Sequence, residues 1–456
     1  MKRIILALIL TTLAQSAFAL DVVYPKSKTV TINANSTFFI GSSDPKKKLT
    51  INGQIVQLHP SGGFAYVVPL TVGGNNFNIK SGNEQLNFTI TRPEIKAQNS
   101  SNSTQNFKEY DNMRYAVVIN ENTPLRLTPV NDGINRISHL QKNIPVVIDG
   151  EQGNFYRVIL GSNKTGWIDK SNIKLVDNGN SLAELKGYDY IDTNEFYIFV
   201  FHLNQMTPYE LVENDPFLIK IFNIADQPEN TYIMKLPLAK SPKPAKINGY
   251  SARFSGTDLI VKVRKPILVD NSKPLRGLKI AIDAGHGGNE IGAIGCLRDN
   301  EKDLNLDFAK HLEQELKKRG AEVFMTRSSD TTISLRDRVE KANDENSFIF
   351  ISLHGNALPD GQDPNKISGS SIYYYYPQAK PLADSILTKM TSELGMNNDK
   401  VHQRSFAVVR NTNAISILIE IGYLINPSDN AKMRHKDFQK ATAKAISDGI
   451  ESYLTN

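Results

Sequence analysis

The segment 278–288 reads LKIAIDAGHGG, an apolar run followed directly by glycines and a histidine. Downstream, the segment 301–319 reads EKDLNLDFAKHLEQELKKR, in which large apolar residues recur every three or four positions, and Gly320 follows it. The segment 321–326, AEVFMT, is a second apolar run. The two apolar runs predict strands. The spacing of the apolar residues in 301–319 predicts an amphipathic helix that ends at Gly320. A strand, a helix and a second strand in this order indicate an α/β domain.

The same alternation continues to the end of the chain. Ser334 is expected to open a helix, and the remaining elements follow in order: strands at 348–353, 371–376 and 415–421, and helices at 381–394 and 438–453. The strands are almost continuously apolar, which is typical of a mostly parallel sheet with helices on both faces. We therefore predict that residues 277–456 form an α/β domain with a mixed, mostly parallel sheet flanked by helices.

The chain before this domain carries short alternating strands separated by turn residues, which predicts an all-β N-terminal part. The expected units are a β-sandwich module at 20–93, a polar linker at 94–112, a small β-barrel module at 113–177 and a β-rich module at 178–268. Within the barrel module, the stretches LRLTP, FYRV and GWI resemble strands of bacterial Src-homology-three-like domains. Trp167 in the last stretch suits either a peptide groove or the core.

The first 19 residues have the pattern of a secretory signal peptide. Lys2 and Arg3 precede an apolar run, and Ala17-Phe18-Ala19 forms a small-residue cleavage site. We expect an exported protein that acts in the periplasm rather than in the extracellular medium. The rest of the chain offers no run of about twenty apolar residues, so no membrane span is expected. The single cysteine, Cys296, excludes an internal disulfide.

The net charge is modestly positive. The whole chain carries a formal charge of +6, and removal of Lys2 and Arg3 with the signal leaves +4. This balance suits contact with an anionic polymer such as the cell wall, and equally an ordinary solvated surface. Long basic runs interleaved with aromatic residues are missing from the sequence, so a nucleic-acid partner is not expected.

Four side chains able to bind a metal or move a proton fall at the edge of the predicted C-terminal sheet. His286 and His354 each follow an apolar strand, Glu301 opens a helix, and Glu420 lies inside an apolar strand. Ligand sites in open α/β sheets lie beyond the carboxyl ends of the strands. Two imidazoles and a carboxylate are a recognised ligand set for catalytic zinc, which lowers the pKa of water to ~7. A carboxyl group in apolar surroundings has a raised pKa, so Glu420 suits a general base.

Residues 278–453 resemble the zinc-dependent N-acetylmuramoyl-L-alanine amidases. The resemblance is carried by five motifs, in the order of that family: DAGHGG at 283–288, EKDLNL at 301–306, Thr326-Arg327, SLHGN at 352–356 and IEIGYLIN at 419–426. It implies that His286, Glu301 and His354 bind Zn²⁺ and that Glu420 is the catalytic acid–base. It also implies the substrate, the amide between the lactyl group of N-acetylmuramic acid and L-alanine in peptidoglycan.

The sequence departs from the family in a few places. Ala284 stands where proline is usual, and Cys296 lies in the loop before Glu301. Some members carry a long helical insertion that blocks the zinc, whereas the connection 357–369 here is short and contains Pro359, Gly361 and Pro364. Such a segment is too short and too rich in helix breakers to form a blocking helix. No organic cofactor is expected, and the sequence does not indicate protein activators.

Two other functions remain open at this point. A zinc peptidase that cuts within the stem peptide would use the same ligands. An inert domain that only binds the cell wall is the second alternative, but such a domain has no need of the carboxylate of Glu420.

Overall fold

The computed structural model describes residues 19–94, 106–179, 182–214, 216–236 and 247–455. The predicted signal peptide lies outside these ranges except for Ala19, and so does most of the predicted linker. The first strand after the linker begins at Lys108, inside the range that the sequence assigned to the linker.

The first unit is built from two facing sheets. Their orders are β1-β3-β6 and β2-β8-β7-β4-β5, and apart from the parallel pair β2–β8 the strands are antiparallel. Side chains such as Phe39, Phe64 and Ile79 fill the space between the sheets. The strands are β1 Asp21–Tyr24, β2 Thr29–Thr31, β3 Ser36–Ser42, β4 Leu49–Ile51, β5 Gln54–Val56, β6 Gly63–Pro69, β7 Gly73–Ser81 and β8 Glu84–Arg92.

The second unit is a five-stranded antiparallel sheet, β14-β13-β12-β9-β15, with a two-stranded ribbon, β10-β11. Trp167 in β14 is 8% exposed and meets the ring of Phe107 edge to face, so it is a core residue. The strands are β9 Lys108–Val118, β10 Thr123–Leu125, β11 Ser138–Leu140, β12 Pro145–Gln152, β13 Phe155–Ile159, β14 Thr165–Asp169 and β15 Ile173–Val176.

The third unit has two antiparallel sheets, β16-β17-β22-β21 and β18-β19-β20. Its buried side chains, among them Phe201 and Val261, form one continuous cluster with Val118 and Ile148 of the second unit. The two units therefore share a core. The strands are β16 Leu185–Asp192, β17 Phe196–Leu203, β18 Tyr209–Val212, β19 Phe217–Phe222, β20 Thr231–Leu236, β21 Tyr250–Ser255 and β22 Asp258–Arg264.

The C-terminal domain contains a six-stranded sheet in the order β24-β23-β25-β28-β26-β27. Only the β26–β28 pairing is antiparallel in this sheet, which confirms the predicted mixed, mostly parallel arrangement. The strands are β23 Lys279–Ala284, β24 Glu322–Met325, β25 Ile349–Asn356, β26 Ser370–Tyr374, β27 Asn398–Gln403 and β28 Ile415–Tyr423, and the helices are α1 Glu301–Lys318, α2 Leu335–Asp344, α3 Lys380–Leu394, α4 Pro427–Met433 and α5 Lys436–Thr455.

Helices cover both faces of this sheet, as predicted. On one face, α1, α3 and α5 pack against the sheet, where Leu312 of α1 and the strand residues Ile351 and Ile417 belong to one buried cluster. On the other face, α2 and the short helix Val408–Arg410 cover Phe350. The start of α2 is fixed by its cap, because the Ser334 hydroxyl accepts the backbone N–H of Asp337. In the described part of the chain, no helix is long and apolar enough to cross a membrane.

The first unit packs against two loops of the C-terminal domain. Asp360 accepts hydrogen bonds from Tyr24 Oη at 2.8 Å and from Thr37 Oγ1 at 2.5 Å, and an ion pair joins Arg298 to Asp21. A small apolar cluster lies between them, formed by Val23, Phe38, Ile40, Ala65, Cys296, Tyr423 and Ile425. The sandwich thus holds the segment before Glu301 and the connection that follows His354.

Candidate metal centre

Two strand ends and one helix start bring three potential ligands together. His286 follows β23, His354 lies near the end of β25, and Glu301 is the first residue of α1. β23 and β25 are parallel neighbours, so their carboxyl ends meet at one edge of the sheet. The ligand atoms of the three side chains all lie within 4.8 Å of one another. The geometry therefore brings together the three residues that the sequence pointed to.

Glu301 is the centre of this group. It is 5% exposed, and its Oε1 lies 2.8 Å from His354 Nδ1 and 3.2 Å from His286 Nε2. Its Oε2 accepts the backbone N–H of Ala293 at 2.8 Å. Burial opposes ionisation of this carboxyl, but the hydrogen bonds from the two histidines outweigh it and hold the pKa of Glu301 well below its usual range. The side chain is thus a carboxylate, as cation binding requires.

The two histidine rings approach closely because the loop after β23 has little bulk. Their centroids are 5.0 Å apart and their planes are inclined by 78°. A Cβ at Gly285 would lie 2.2 Å from Cε1 of His354, so only glycine leaves room for that ring. His286 itself has a φ of 61°, a left-handed conformation that turns the chain at the site. Two imidazole nitrogens and a carboxylate oxygen at this separation fit zinc.

Glu420 lies on the neighbouring strand, directly opposite His354 in the β25–β28 register. Its Oε2 is fully buried and has no hydrogen-bond partner within the described ranges of the chain. Burial raises the pKa of Glu420 to about 7; the charge of His354 opposes this rise and that of Glu301 adds to it. A carboxyl group with a pKa near neutrality and a free oxygen can accept a proton and return it.

Residues 280–452 match the family model of N-acetylmuramoyl-L-alanine amidases. The catalytic domain of CwlV, an N-acetylmuramoyl-L-alanine amidase from Bacillus (Paenibacillus) polymyxa var. colistinus, is 33% identical, and the match covers 39% of this chain and 98% of that one, with a TM-score of 0.37. Through its C-terminal domain, the chain belongs to this amidase family.

Other relatives match the amidase domain to a similar degree. AmiC2 of Nostoc punctiforme is 32% identical, with 39% of this chain and 98% of that chain covered and a TM-score of 0.38. The "Probable cell wall amidase LytH" of Staphylococcus saprophyticus is 34% identical over 187 residues, or 41% of this chain. The chain spans 61% of the length of that curated relative.

A buried ion pair beneath the amidase site holds the loop that carries His286. Asp283 and Arg338 are 1% and 2% exposed, and Arg338 Nη1 donates to Asp283 Oδ1 at 2.7 Å. The same guanidinium donates to the carbonyls of Ala284 at 2.8 Å and His286 at 2.7 Å. Ser352 Oγ donates to the other carboxylate oxygen at 2.7 Å. Arg338 thus fixes the backbone from which His286 projects.

Arg327 and Asn305 supplement this support. Arg327 donates to the carbonyls of Ala284 at 2.8 Å and Gly285 at 3.0 Å. Asn305 Nδ2 lies 3.2 Å from the Gly285 carbonyl and 3.3 Å from Glu301 Oε1, so one amide contacts both the loop and a ligand.

None of these supporting residues was assigned a role from the sequence, and Arg338 lies outside the motifs of the family. A signal for Arg338 exists, because it lies one turn before Ala342, the other buried residue of α2. Helical periodicity therefore places this arginine on the face of α2 that meets the sheet.

Cys296 lies outside the ligand group. Its Sγ is fully buried against the first unit and donates to Asn430 Oδ1 at 3.1 Å. Burial raises the pKa of the thiol to about 12, and the nearby Asp299 carboxylate adds to the rise. The side chain is therefore a protonated packing group.

We expect Cys296 to be unreactive toward a thiol reagent in the folded chain at pH 8, because both burial and the raised pKa suppress the thiolate. Labelling should reach one equivalent after unfolding in guanidinium. Rapid labelling of the native protein, followed by mass spectrometry, would contradict this assignment.

Proposed function

We propose that this chain hydrolyses the amide bond between N-acetylmuramic acid and L-alanine of peptidoglycan stem peptides, during cell-wall remodelling or cell separation. The observation that carries the proposal is the pairing of one ligand set with one free acid–base group. Glu301 lies between two imidazoles, and Glu420 faces the same edge with an oxygen that has no hydrogen-bond partner among the described residues. The match of residues 280–452 to the amidase family supplies the substrate.

Each side chain has a distinct role in this proposal. His286, Glu301 and His354 would hold Zn²⁺, which supplies Lewis acidity toward the amide oxygen and a lowered pKa for water. Glu420 accepts the proton of the attacking water and delivers it to the leaving nitrogen of L-alanine. Arg338 and Arg327 keep the His286 loop in place throughout.

The proposed location follows from the sequence of the first 19 residues and from the substrate. We propose that the chain is exported and acts on peptidoglycan in the periplasm. Relatives named as cell wall amidases support action on the cell wall.

Treatment with a chelator is expected to abolish hydrolysis of purified sacculi by the mature chain, and one equivalent of zinc is expected to restore it, because the ligand set consists of a carboxylate and two imidazoles. Chromatography and mass spectrometry of the products test the bond that is cut. The amidase reaction releases intact stem peptides that begin with L-alanine and leaves the glycan with free lactyl groups.

The same product analysis separates the alternatives. A zinc peptidase would release fragments that begin inside the stem peptide, and an inert wall-binding domain would release nothing above the buffer control. Full activity in the metal-free enzyme would reject the proposed role of zinc.

A further inference from the structure

A cavity of about 600 Å³ lies where the second and third β units meet the amidase domain. Its lining comes from all three parts: Arg136 and His139 from the second unit, Tyr209 and Tyr250 from the third, and α2 with the segment 407–413 from the amidase domain. Neither the three ligand residues of the metal centre nor Glu420 lines it. The volume falls within the range of ~300–1,000 Å³ that is usual for small-molecule sites.

The cavity wall carries an excess of positive charge. Neither Arg136 nor Arg410 forms an ion pair with any carboxylate in the described part of the chain, since Arg136 contacts His139 and Arg410 donates to Ser405. One carboxylate, Glu340, is among the lining residues, and it pairs with Arg336 of the same helix at 2.6 Å. Two guanidinium groups are thus left without a counter-charge.

A third guanidinium, that of Arg126, lies close enough to His139 for its charge to act on that ring. It is 6% exposed, and its Nη atoms donate to two neutral acceptors, the carbonyl of Asp132 and Asn131 Oδ1, while the carboxylates of Asp169 and Asp132 act on it only through their charge. Burying a charge is unfavourable unless a counter-charge or strong acceptors compensate it. The cluster therefore favours an anion in the cavity.

Several hydrogen-bond donors in the lining also have no partner. Asn411 is 5% exposed, and its Oδ1 accepts the backbone N–H of Asn413, while its Nδ2 is buried and unpaired within the described ranges. Arg136 Nε and Ser138 Oγ are also buried, and they too have no hydrogen-bond partner among the described residues. Buried polar atoms are nearly always hydrogen-bonded in folded proteins, so three unpaired groups on one cavity wall point to a missing ligand.

His139 lies next to the same arginines. Burial, followed by the charges of Arg136, Arg410 and Arg126, lowers the pKa of this histidine to about 3. Its ring is neutral and accepts from Arg136 Nη1 at 2.6 Å. The neutral histidine does not compensate the positive charge of the cavity wall, but it orients the guanidinium group of Arg136.

From these observations we propose that the cavity between the β units and the amidase domain binds a small molecule that carries a phosphate or carboxylate group. Arg136 and Arg410 bind the oxyanion, and Asn411 and Ser138 donate further hydrogen bonds after a rotation of their side chains, because their unpaired atoms are buried in this structure. Guanidinium groups suit both oxyanions because each can offer two parallel N–H donors. The tyrosines of the wall provide contact area for the rest of the ligand.

Isothermal titration of the mature chain with inorganic phosphate and, separately, with succinate at constant ionic strength tests this site. We expect one equivalent of at least one probe to bind. Arg136→Gln and Arg410→Gln should each weaken binding at least about tenfold, which corresponds to ~1.4 kcal/mol. Arg276→Ala, which removes the same charge from an exposed position, should bind as the native chain does.

Asn411→Asp provides a second variant that keeps the size of the side chain and the bond to Asn413. It adds a carboxylate to the cavity wall that carries the two unpaired guanidinium groups, so it should abolish oxyanion binding, and its melting temperature is measured alongside to show that the variant is folded. The titrations are repeated with His354→Ala, so that an oxyanion bound at the metal centre is not counted. Tighter binding of phosphate assigns a phosphoryl ligand, and tighter binding of succinate a carboxylate ligand. If neither probe binds, or if the cavity variants bind as the native chain does, the site does not exist.

Discussion

Replacement of Glu420 by glutamine is expected to lower kcat by a factor on the order of 10² to 10⁴, the usual contribution of a positioned acid–base group, while zinc stays bound. Glutamine keeps the size of the side chain but cannot accept the proton of water. Glu420 is not part of the group of ligand atoms within 4.8 Å of one another, so metal binding should be close to native.

The matched variant is His354→Ala, which removes a ligand from that group. It should lose both zinc and activity, whereas Glu420→Gln should lose activity alone. Metal analysis of the purified proteins, together with rates on soluble muropeptide, separates the two. If Glu420→Gln were free of zinc, Glu420 would be a ligand, and if it kept more than about a tenth of the native rate, another group would be the base.

Replacement of Arg338 by methionine is expected to lower the free energy of unfolding by about 3 to 5 kcal/mol, the usual effect of removing one partner of a buried ion pair. The change leaves the Asp283 carboxyl group, 1% exposed, without its guanidinium partner, and it also removes the donors to the carbonyls of Ala284 and His286. Since the loop of His286 then loses its support, zinc affinity should fall as well.

Arg336→Met is the matched control on the same helix. Its ion pair with Glu340 is largely exposed, with the arginine side chain 73% accessible, so the loss should stay within about 1 kcal/mol. Urea unfolding of both variants, combined with zinc titration, measures both effects. Equal stability losses in the two variants would show that the buried pair has no special role.

The metal centre could be predicted because its residues carry local sequence signals. His286 and His354 follow apolar strands, and Glu301 stands at the start of an amphipathic helix, so the rules for parallel sheets bring them to one edge. Most strands and helices of the domain were likewise predicted within a few residues of their observed bounds. This was possible because their apolar patterns were long.

Other features carry no such signal. The strand β27, NDKVHQ, is polar and lies at the edge of the sheet, so its pattern does not distinguish it from a loop. The short helix α4 begins at Pro427, shortly after β28 ends at Tyr423, and no helix was predicted there from the sequence. The pairing of Asp283 with Arg338 joins residues 55 positions apart, and only the folded chain shows it.

The contact between the first unit and the amidase domain joins parts of the chain that are far apart in the sequence. Asp21 and Arg298 are separated by 277 positions, and Tyr24 and Asp360 by 336. The equilibrium cost of closing such a separation grows only slowly with its length, but contacts between distant residues form late in folding. Until then the apolar side chains of Val23 and Phe38 lack their partners. A chain truncated before the amidase domain would keep this surface exposed, and we expect it to aggregate more readily than the whole protein.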